Sequence, residues 1–343
     1  MLVSEILSEQ VDENFAKAVD AREFSFPEDH GGHPQYRNEW WYLTGNLGDK
    51  NGQAFGYQVT FFRIGLSPET LQRESAWASN QMWMAHVALT DVSAQEHIAE
   101  ERFSRGNPGL VEIQDKPFQI RLDDWHLLAN ENDKTWQLII KTEEFSLNLD
   151  LRFTKPVVLH GDQGLSQKSE TPGNATYYYS LTRINTSGQL KINNKSYAVN
   201  GLSWLDREWG TSALDRNQKG WDWFSIQLES GEELMYYQIR DQEGKPHPGS
   251  AGTWISKKGL STSISPEEIQ LTPIKWWLSE TGARYPIRWQ LDYQARPEKW
   301  IVQALVDDQI MDLSFSYWEG AVAILDSING NVLGNGYLEM TGY

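Results

Sequence analysis

The sequence predicts an all-β protein with an antiparallel sandwich or barrel architecture, and three observations support this prediction. Short segments alternate apolar and polar residues, most clearly over Phe145–Phe153. Turn sequences that contain Gly separate these segments at short intervals. No long helical pattern interrupts the series. Because successive side chains of a strand point to opposite faces, such segments place one face on an apolar core and the other in water.

Eight further strands are predicted along the chain, after an N-terminal arm. The arm contains a short amphipathic helix over Val3–Val19. The predicted strands are Gly56–Arg63, Met82–Asp91, Trp136–Lys141, Tyr177–Ile184, Trp223–Glu229, Met235–Arg240, Trp300–Val306 and Phe315–Leu325. Turn signals occur at residues 49–52, 107–109, 186–188, 229–231 and 329–330.

A faint internal repeat indicates two copies of one barrel. Residues 41–42 are followed by the return segment 57–60, and residues 223–224 by the return segment 237–240, at offsets of 182 and 180 residues. The chain of 343 residues has room for two barrels of this kind. We therefore predict an N-terminal arm over 1–24, a first barrel over 25–200 and a second barrel over 201–343.

Composition excludes several classes of protein. Aromatic residues make up 12% of the chain and include 16 Trp, so the chain can bury a core, unlike a disordered one. The formal net charge of −17 repels nucleic-acid phosphates and anionic membrane surfaces, so no nucleic-acid partner is predicted. The absence of Cys excludes disulfides, thiolate metal sites and Cys nucleophiles.

The sequence also bears on location. No stretch approaches the roughly 18 consecutive apolar residues of a membrane helix, so the protein is predicted not to span a membrane. The first twenty residues lack the basic start and apolar run of a signal peptide. We therefore expect either a protein that stays inside the cell or a mature chain whose leader has been removed.

The segment Trp204–Gly210, with the sequence WLDREWG, concentrates candidate functional residues. As a strand, it places Asp206 and Glu208 on one face with Trp204, about 7 Å apart. Two carboxyl groups held that close in a dry site raise the pKa of one of them, which makes a proton donor. Such an acid beside indole rings suits the addition of water to an alkene, because the rings stabilise a developing carbocation.

A structural interpretation of the same segment stays open. Arg207 on the opposite face, with Trp209, can form an ion pair with a carboxylate of another strand. It can equally lie across a Trp ring and close a barrel. Under this interpretation, the charged residues of the segment stabilise the fold and perform no chemistry.

Other candidates have two interpretations each. Glu39 shares a strand face with Trp41 and is either a second acid or a buried hydrogen-bond anchor. His86 lies within an apolar strand and is either a core residue or a proton shuttle. Trp221 and Trp223 share a face and either line a pocket or fill the second barrel.

The sequence predicts no metal and no cofactor. Asp29, His30 and His33 in a Gly-rich stretch have side chains that bind metals, but a loop role is favoured. There is no GxSxG nucleophile elbow, no HExxH zinc motif, no Walker loop and no GxGxxG dinucleotide motif. A lipase-like serine hydrolase is therefore not expected.

Several long motifs resemble the AttH-type, lipocalin-like family, which is related to the bacterial carotenoid 1,2-hydratases, also called hydroxyneurosporene synthases. The motifs are His30–Asn46, Gly56–Arg63, Trp204–Gly210, Tyr317–Val322 and Thr341–Tyr343. The resemblance covers nearly the whole chain after about residue 24 and implies two consecutive calycin-type β-barrels that handle lipid, terpenoid or other apolar molecules. It also implies a periplasmic or secreted location, and for some members an ABC exporter as partner.

The resemblance also has implications for three arginines, Arg207, Arg183 and Arg240. The hydratase branch carries His where this chain has Arg207, and an arginine cannot shuttle protons, which argues against hydratase activity. Calycin barrels pack an Arg of the last strand over a Trp of the first. This implies Arg183 over Trp40 or Trp41 in the first barrel and Arg240 near Trp223 in the second.

Two functions of different classes follow. In the first, the protein binds an apolar small molecule such as a lipid, fatty acid or isoprenoid, in a barrel cavity or a cleft between barrels. In the second, it is an enzyme that hydrates, isomerises or hydrolyses such a molecule, with Asp206, Glu208 and His86 as acid and base. The residues expected to contact the ligand are Trp204, Trp209, Trp221, Trp223, Trp41, Glu39 and Arg207.

Overall fold

The computed structural model describes residues 14–68, 79–106, 109–130, 134–211, 214–215 and 217–343. In these ranges it contains strands and two short 3-10 helices, Glu28–His30 and Pro266–Glu268, and no α-helix. Residues 3–13 of the predicted arm helix lie outside the described residues, as do residues 107 and 108 of one predicted turn. Residues 14–19 are not helical. Within the described ranges, no helix is long and apolar enough to cross a membrane.

The strands form two antiparallel sheets, which confirms the predicted all-β fold. In chain order, the strands are β1 (Asn38–Asp49), β2 (Ala54–Gly65), β3 (Gln81–Asp91), β4 (Glu96–Ser104), β5 (Val111–Asp115), β6 (Phe118–Leu122), β7 (Trp125–Ala129), β8 (Thr135–Lys141), β9 (Phe145–Phe153), β10 (Val158–Leu159), β11 (Leu165–Gln167), β12 (Ala175–Ile192), β13 (Lys195–Gly210), β14 (Gln218–Leu228), β15 (Glu233–Asp241), β16 (Ala251–Ile255), β17 (Ser261–Ile264), β18 (Ile269–Leu278), β19 (Arg284–Tyr293), β20 (Lys299–Ala304), β21 (Ile310–Asp312), β22 (Ser316–Asp326) and β23 (Val332–Met340).

The first sheet has the strand order β4-β3-β2-β1-β13-β12-β9-β8-β7-β6-β5, with β10 and β11 also paired to β12. The second has the order β17-β16-β15-β14-β23-β22-β20-β19-β18, with β21 paired to β22. The sheets curve into one nearly closed barrel and one half-barrel. In both sheets, the first strand pairs with the second strand and with the last, as the internal repeat leads one to expect.

The change from one sheet to the other falls between β13 and β14. Strand β13 pairs along its length with β12 and, over Val199–Gly210, with β1, so the first sheet continues to Gly210. The predicted boundary between residues 200 and 201 therefore falls inside a strand. The turn that precedes β13 is made by Asn193 and Asn194, both with positive φ, and residues 200–201 continue the strand. A side-chain amide tolerates this backbone conformation, which explains the tight β12–β13 hairpin.

Apolar side chains fill the inside of each sheet. In the first, alternate residues of β1, β2, β3 and β13 point inward, among them Trp41, Leu43 and Leu205. In the second, Phe224, Trp289 and Leu338 belong to the corresponding core. The residues between these inward positions lie on the outer faces of the sheets. There the two sheets pack against each other, with Tyr42 and Trp204 of one in the same apolar cluster as Trp223 and Tyr337 of the other.

Candidate functional site

A cavity that is lined by carboxyl groups and aromatic side chains lies between the two sheets and not inside either barrel. It has a volume of about 810 Å³, counting its open side. Its apolar wall is made mainly of aromatic side chains. The lining residues are Trp40, Tyr42, Thr60, Phe62, Lys168, Thr176, Asp206, Glu208, Leu214, Trp221, Trp223, Tyr237, Ile239, Tyr317, Glu319 and Glu339.

Strand register explains why polar groups of distant sequence segments meet here. On the first sheet, Asp206 of β13 is directly opposite Tyr42 of β1 and Ser180 of β12. On the second, Glu339 of β23 is directly opposite Trp223 of β14 and Glu319 of β22. Each set forms a row across the outer face of its sheet. The packing of those faces encloses the polar groups of both rows in one cavity.

Asp206 is buried and surrounded by hydrogen-bond donors. Its carboxyl group accepts hydrogen bonds from the hydroxyls of Ser180 and Tyr178 and from the indole Nε1 of Trp204, the last at 2.6 Å. The Tyr178 hydroxyl in turn accepts a hydrogen bond of 3.1 Å from Trp223 of the second sheet. Burial raises the pKa of Asp206 to about 7, although the three donors lower it. The charge of Glu208 adds only a smaller increase, so desolvation, not the neighbouring carboxylate, is the main cause.

Glu208 is held differently, although it lies on the same strand face. Its carboxylate is 3.5 Å from the ammonium group of Lys168 and accepts a hydrogen bond from the Thr176 hydroxyl. Burial alone would lower the pKa of Lys168, but the charges of Glu208 and Tyr237 and the hydrogen bonds to both groups together outweigh it, and the pKa is raised. Lys168 therefore carries a positive charge at neutral pH, next to the Glu208 carboxylate. The ammonium also lies 4.0 Å from the centre of the Tyr237 ring.

Two further acids, Glu319 and Glu339, were not among the residues predicted from the sequence. Glu319 is fully buried, and neither of its carboxyl oxygens makes a well-aligned hydrogen bond among the described residues, although the hydroxyls of Tyr42 and Tyr317 lie close enough to lower its pKa slightly. Burial, followed by the charge of Glu339, raises the pKa of Glu319 well above its usual range. Glu339 accepts one hydrogen bond of 3.2 Å from the indole of Trp221. Burial raises its pKa to about 8, with smaller increases from Glu208 and Asp206. At neutral pH, both acids therefore hold their protons.

His86 lies behind the cavity wall and reaches the cavity through Tyr317. Its Nδ1 is 2.9 Å from the hydroxyl of Tyr317, a residue that lines the cavity. Its Nε2 has no hydrogen-bond partner among the described residues and lies 3.7 Å from a carboxylate oxygen of Glu101. Burial lowers the pKa of His86 to about 3, so the ring is neutral at physiological pH.

His160 occupies a similar place behind Asp206. Its Nε2 lies 2.6 Å from the Ser180 hydroxyl, and its Nδ1 lies 2.8 Å from the hydroxyl of Thr253 in the second sheet. Burial and then the charge of Lys168 lower the pKa of His160 to about 3. The sequence offered no pattern for this residue, because it follows a two-residue strand and has no alternation around it.

Four of the residues predicted to contact a ligand lie away from the cavity. Arg207 and Glu39 form a fully buried ion pair on the inward face, and Arg63 pairs with the same carboxylate. The Arg207 guanidinium also lies 3.8 Å from the centre of the Trp41 ring. Trp209 is fully buried and stacks on His33, with ring centres 3.8 Å apart.

The remaining predicted residues lie at or beside the cavity. Asp206, Glu208, Trp221 and Trp223 line it. Trp204 is buried behind Asp206 and donates the hydrogen bond that fixes its carboxyl group. The inward face of the strand Trp204–Gly210 thus forms a buried ion pair within the fold, and its outward face lines the cavity.

The placement of Arg183 and Arg240 implied by the family resemblance is wrong. The residue that covers Trp41 is Arg207, from β13. The pairing of β12 with β13 shifts register between Leu181 and Ile184, and Arg183 at this irregularity pairs with Glu233 of the second sheet. Arg240 pairs with Asp222 and lies 3.9 Å from the centre of the Tyr343 ring, not near Trp223.

The Gly-rich stretch before β1 contributes to the fold. Asp29 pairs with Arg22 at 2.8 Å and with His33 at 3.0 Å. His30 lies 2.6 Å from the Tyr179 hydroxyl. Among the residues that the structure describes, no group of three or more metal-binding side chains is arranged around a common point.

Comparisons with known proteins agree with this architecture. A family model described as AttH-like matches residues 17–343. A candidate AttH protein from Nitrosomonas europaea is 32% identical, with a TM-score of 0.86 over 96% of this chain and 100% of that one. Kievitone hydratase from Nectria haematococca is 15% identical, with a TM-score of 0.68 over 98% of both chains. CghA, in a structure with Sch210972, is 10% identical, with a TM-score of 0.58 over 97% of both. A search of curated proteins found no match.

Proposed function

The chain belongs to the AttH-like family, and from its cavity we propose that it binds an apolar small molecule between its two sheets and transfers a proton to it. One observation carries this proposal: a cavity with aromatic walls contains buried carboxyl groups, and burial raises the pKa of Asp206 to about 7 and that of Glu339 to about 8. An apolar wall with few polar groups is typical of small-molecule sites. A general acid works best when its pKa is near the working pH.

The reaction class that fits best is acid-catalysed addition to, or isomerisation of, a carbon–carbon double bond. Glu339 donates its proton to the alkene, whose π electrons form the new C–H bond and leave a cationic carbon. For hydration, a water oxygen then attacks that carbon, and the water gives up a proton to the Glu339 carboxylate. For isomerisation, the carboxylate removes a proton from the neighbouring carbon instead. Both routes restore the protonated acid.

Asp206 has a second role in this proposal. Its carboxyl group faces the same cavity, and its pKa of about 7 allows it to hold or release a proton during the reaction. Glu208 tunes the site, because its ion pair with Lys168 keeps a negative charge near Asp206 and Glu339. His86 acts through Tyr317, whose hydroxyl it positions at the cavity wall.

The absence of His at position 207 no longer weighs against this chemistry. Arg207 points away from the cavity into the interior of the first barrel, where it pairs with Glu39. The proton transfer that we propose uses the opposite face of the same strand. The relatives include a protein named kievitone hydratase, and addition of water to a double bond is one of the reactions proposed here.

The decisive experiment follows proton transfer to carbon and does not require that the substrate be identified beforehand. Apolar extracts of the host cell are incubated with the protein in D₂O, and mass spectrometry identifies molecules that gain deuterium on carbon. We expect the wild-type protein to label one compound or a small group, and Glu339→Gln to reduce the labelling rate by roughly 10²–10⁴-fold. Glu96→Gln, which changes an exposed carboxylate far from the cavity wall, is the matched control and keeps full labelling.

Native mass spectrometry of the same variants separates enzyme from carrier. If Glu339→Gln retains a bound apolar molecule that the wild-type protein converts, the proposal stands. If the wild-type protein carries a ligand that it never labels or converts, the protein is a carrier, and the catalytic part of the proposal is wrong.

The family resemblance adds a location and a partner to the proposal. We infer a periplasmic or secreted protein that cooperates with an ABC exporter. Fractionation of the host cell, followed by detection of the protein in each fraction, tests the location. Co-purification with exporter subunits tests the partner.

A further inference from the structure

The balance of charge in the cavity has a consequence for the ligand itself. Four carboxyl groups face the cavity: Asp206, Glu208, Glu319 and Glu339. Of the described residues that line it, Lys168 alone is cationic, and Glu208 already neutralises it at 3.5 Å. A ligand with a carboxylate would find no free cation here; protonated acids and tyrosine hydroxyls can donate hydrogen bonds to it, but none of them neutralises its buried charge.

The aromatic walls of the cavity also favour a positively charged ligand. Seven aromatic side chains line the cavity: Trp40, Tyr42, Phe62, Trp221, Trp223, Tyr237 and Tyr317. The face of an aromatic ring carries negative partial charge and attracts cations within about 6 Å. The cavity already shows one such contact, since the Lys168 ammonium lies 4.0 Å from the centre of the Tyr237 ring.

Glu319 supplies the independent observation. It is fully buried, it faces the cavity, and neither of its carboxyl oxygens makes a well-aligned hydrogen bond in the described part of the chain, although the hydroxyls of Tyr42 and Tyr317 lie close enough to interact with it. A buried carboxyl group without a well-formed hydrogen bond is costly, and such groups in native structures usually meet a ligand or a water. A positive charge at this point would be stabilised by the carboxylate more strongly than these two hydroxyls stabilise it.

We propose that the Glu319–Glu339 end of the cavity binds positive charge carried by an otherwise apolar molecule. This proposal rests on the proposed function, because it concerns the same cavity, and it narrows the ligand class. Hydrophobic amines and molecules that become cationic during the reaction fit the site, whereas fatty acids do not. The fatty acids among the ligands that the sequence allowed are therefore excluded by this proposal.

Binding of a cation is coupled to loss of a proton. At neutral pH, Glu339 holds its proton, since burial raises its pKa to about 8. A cation beside the group favours the ionised form, so the O–H bond breaks and the proton passes to a buffer base. The groups that interact electrostatically with this end of the cavity are Glu319 on β22, Asp206 and Glu208 on β13, Lys168 before β12, and the hydroxyls of Tyr42 on β1, Tyr317 on β22 and Tyr337 on β23.

Two molecules of the same shape test the proposal. Benzyltrimethylammonium carries a permanent positive charge, and neopentylbenzene has the same shape with carbon in place of nitrogen. Intrinsic Trp fluorescence reports binding, because three indoles line the cavity. We expect the ammonium to bind at least about tenfold more tightly than its isostere at pH 8. The carboxylate 3-phenylpropanoate should bind more weakly than either.

Calorimetry in buffers of different ionisation enthalpy measures the proton release. We expect the ammonium to release a proton at pH 7 and the isostere to release none. The variants Glu319→Gln and Glu339→Gln should each reduce the affinity for the ammonium toward that of the isostere, while affinity for the isostere changes little. Glu96→Gln, which makes the same replacement at an exposed position of β4 outside the cavity lining, is the control and leaves both affinities unchanged.

The outcomes separate this proposal from the proposed function. Equal affinities for ammonium and isostere, in a protein that labels its substrate in D₂O, would overturn the cation proposal and leave the proposed function intact. Failure of both probes to bind, together with an absence of deuterium labelling, would count against the proposed function itself. Tighter binding of the ammonium in a protein that labels nothing would support a carrier of hydrophobic amines.

Discussion

The two faces of strand β13 bury charged side chains by opposite means. On the inward face, Arg207 meets Glu39, and the carboxylate also pairs with Arg63. Burial raises the pKa of Glu39, but the two guanidinium groups outweigh it and hold that pKa far below its usual range. On the outward face, Asp206 is equally dry and has hydroxyl and indole donors but no cation, and its pKa rises to about 7. The adjacent residues Arg207 and Asp206 of β13 thus belong to two different sites: Arg207 keeps Glu39 of β1 ionised, whereas Asp206 is itself an acid that can be protonated.

This difference shows where a buried carboxyl group can perform chemistry. An acid that is fully paired with arginine stays ionised and is committed to the fold. An acid that is desolvated without a cation keeps a proton that it can transfer near neutral pH. Glu319 and Glu339 of the second sheet belong to the second kind. The number of cations around an acid, not its burial alone, separates the structural site from the candidate active site.

Breaking the inward pair should have the largest effect on stability. In Arg207→Met, Glu39 keeps Arg63 but loses its second cation, and Trp41 loses the guanidinium over its ring. We expect the free energy of unfolding to fall by about 3–5 kcal/mol, since removal of one partner leaves charge buried without compensation. Urea unfolding followed by fluorescence measures this change.

Asp206→Asn is the matched test on the other face of β13. It replaces an acid that is half protonated at pH 7 with a neutral amide of the same shape. We expect a loss of less than about 2 kcal/mol, from altered hydrogen bonds alone. Equal losses for the Asp206→Asn and Arg207→Met variants would contradict the distinction between the two faces.

The buried acids that have no cation beside them should make the free energy of unfolding depend on pH, and Glu339→Gln tests this. The folded-state pKa of about 8 lies above the unfolded value of 4.5, so folding favours the protonated acid. The stability associated with this group is fully present below about pH 4.5 and is lost as the pH rises through about 8. We expect Glu339→Gln to gain on the order of 2–4 kcal/mol relative to wild type between pH 5 and pH 8. Urea unfolding at both pH values measures it, and parallel pH profiles would show that Glu339 is ionised in the folded protein.

The sequence predicted the outward face of β13 well. Alternation over Trp204–Gly210 assigned Asp206 and Glu208 to one face and Arg207 to the other, and the strand has that arrangement. The same reasoning placed Trp221 and Trp223 together on one face of a strand, and both line the cavity. These predictions succeeded because strand alternation is a local property.

The sequence could not predict what faces that strand across the cavity. Glu319 and Glu339 lie more than a hundred residues away, in another sheet, and they meet Asp206 only because two outer faces pack together. The available signal was an acid at an alternating position among aromatic and apolar residues, as in Tyr317-Trp-Glu319 and Tyr337-Leu-Glu339. Local alternation marks such an acid as facing one side, but does not tell whether that side is wet or covered.

Arg183 illustrates the other limit. The resemblance to calycin barrels placed it over a tryptophan, which assumes regular pairing of β12 and β13. The register shift between Leu181 and Ile184 changes the direction of this side chain, and Glu233 of the second sheet binds it. A β-bulge depends on the partner strand, so periodicity along one strand does not reveal it.

The smallest effect is expected for the residue behind the cavity wall. His86 contacts Tyr317 at 2.9 Å and touches the cavity only through this hydroxyl, so it is a positioning residue. We expect His86→Gln to slow deuterium labelling about tenfold, because the Tyr317 hydroxyl loses the group that orients it, and Tyr317→Phe to do the same, because the hydroxyl itself is removed. If the two residues act as one unit, the double variant should be no slower than either single variant. Additive losses in the double variant would mean that His86 acts independently of Tyr317. If His86→Gln has an unchanged labelling rate and a normal unfolding curve, His86 only packs against Phe62 and Phe315 and does not position the hydroxyl.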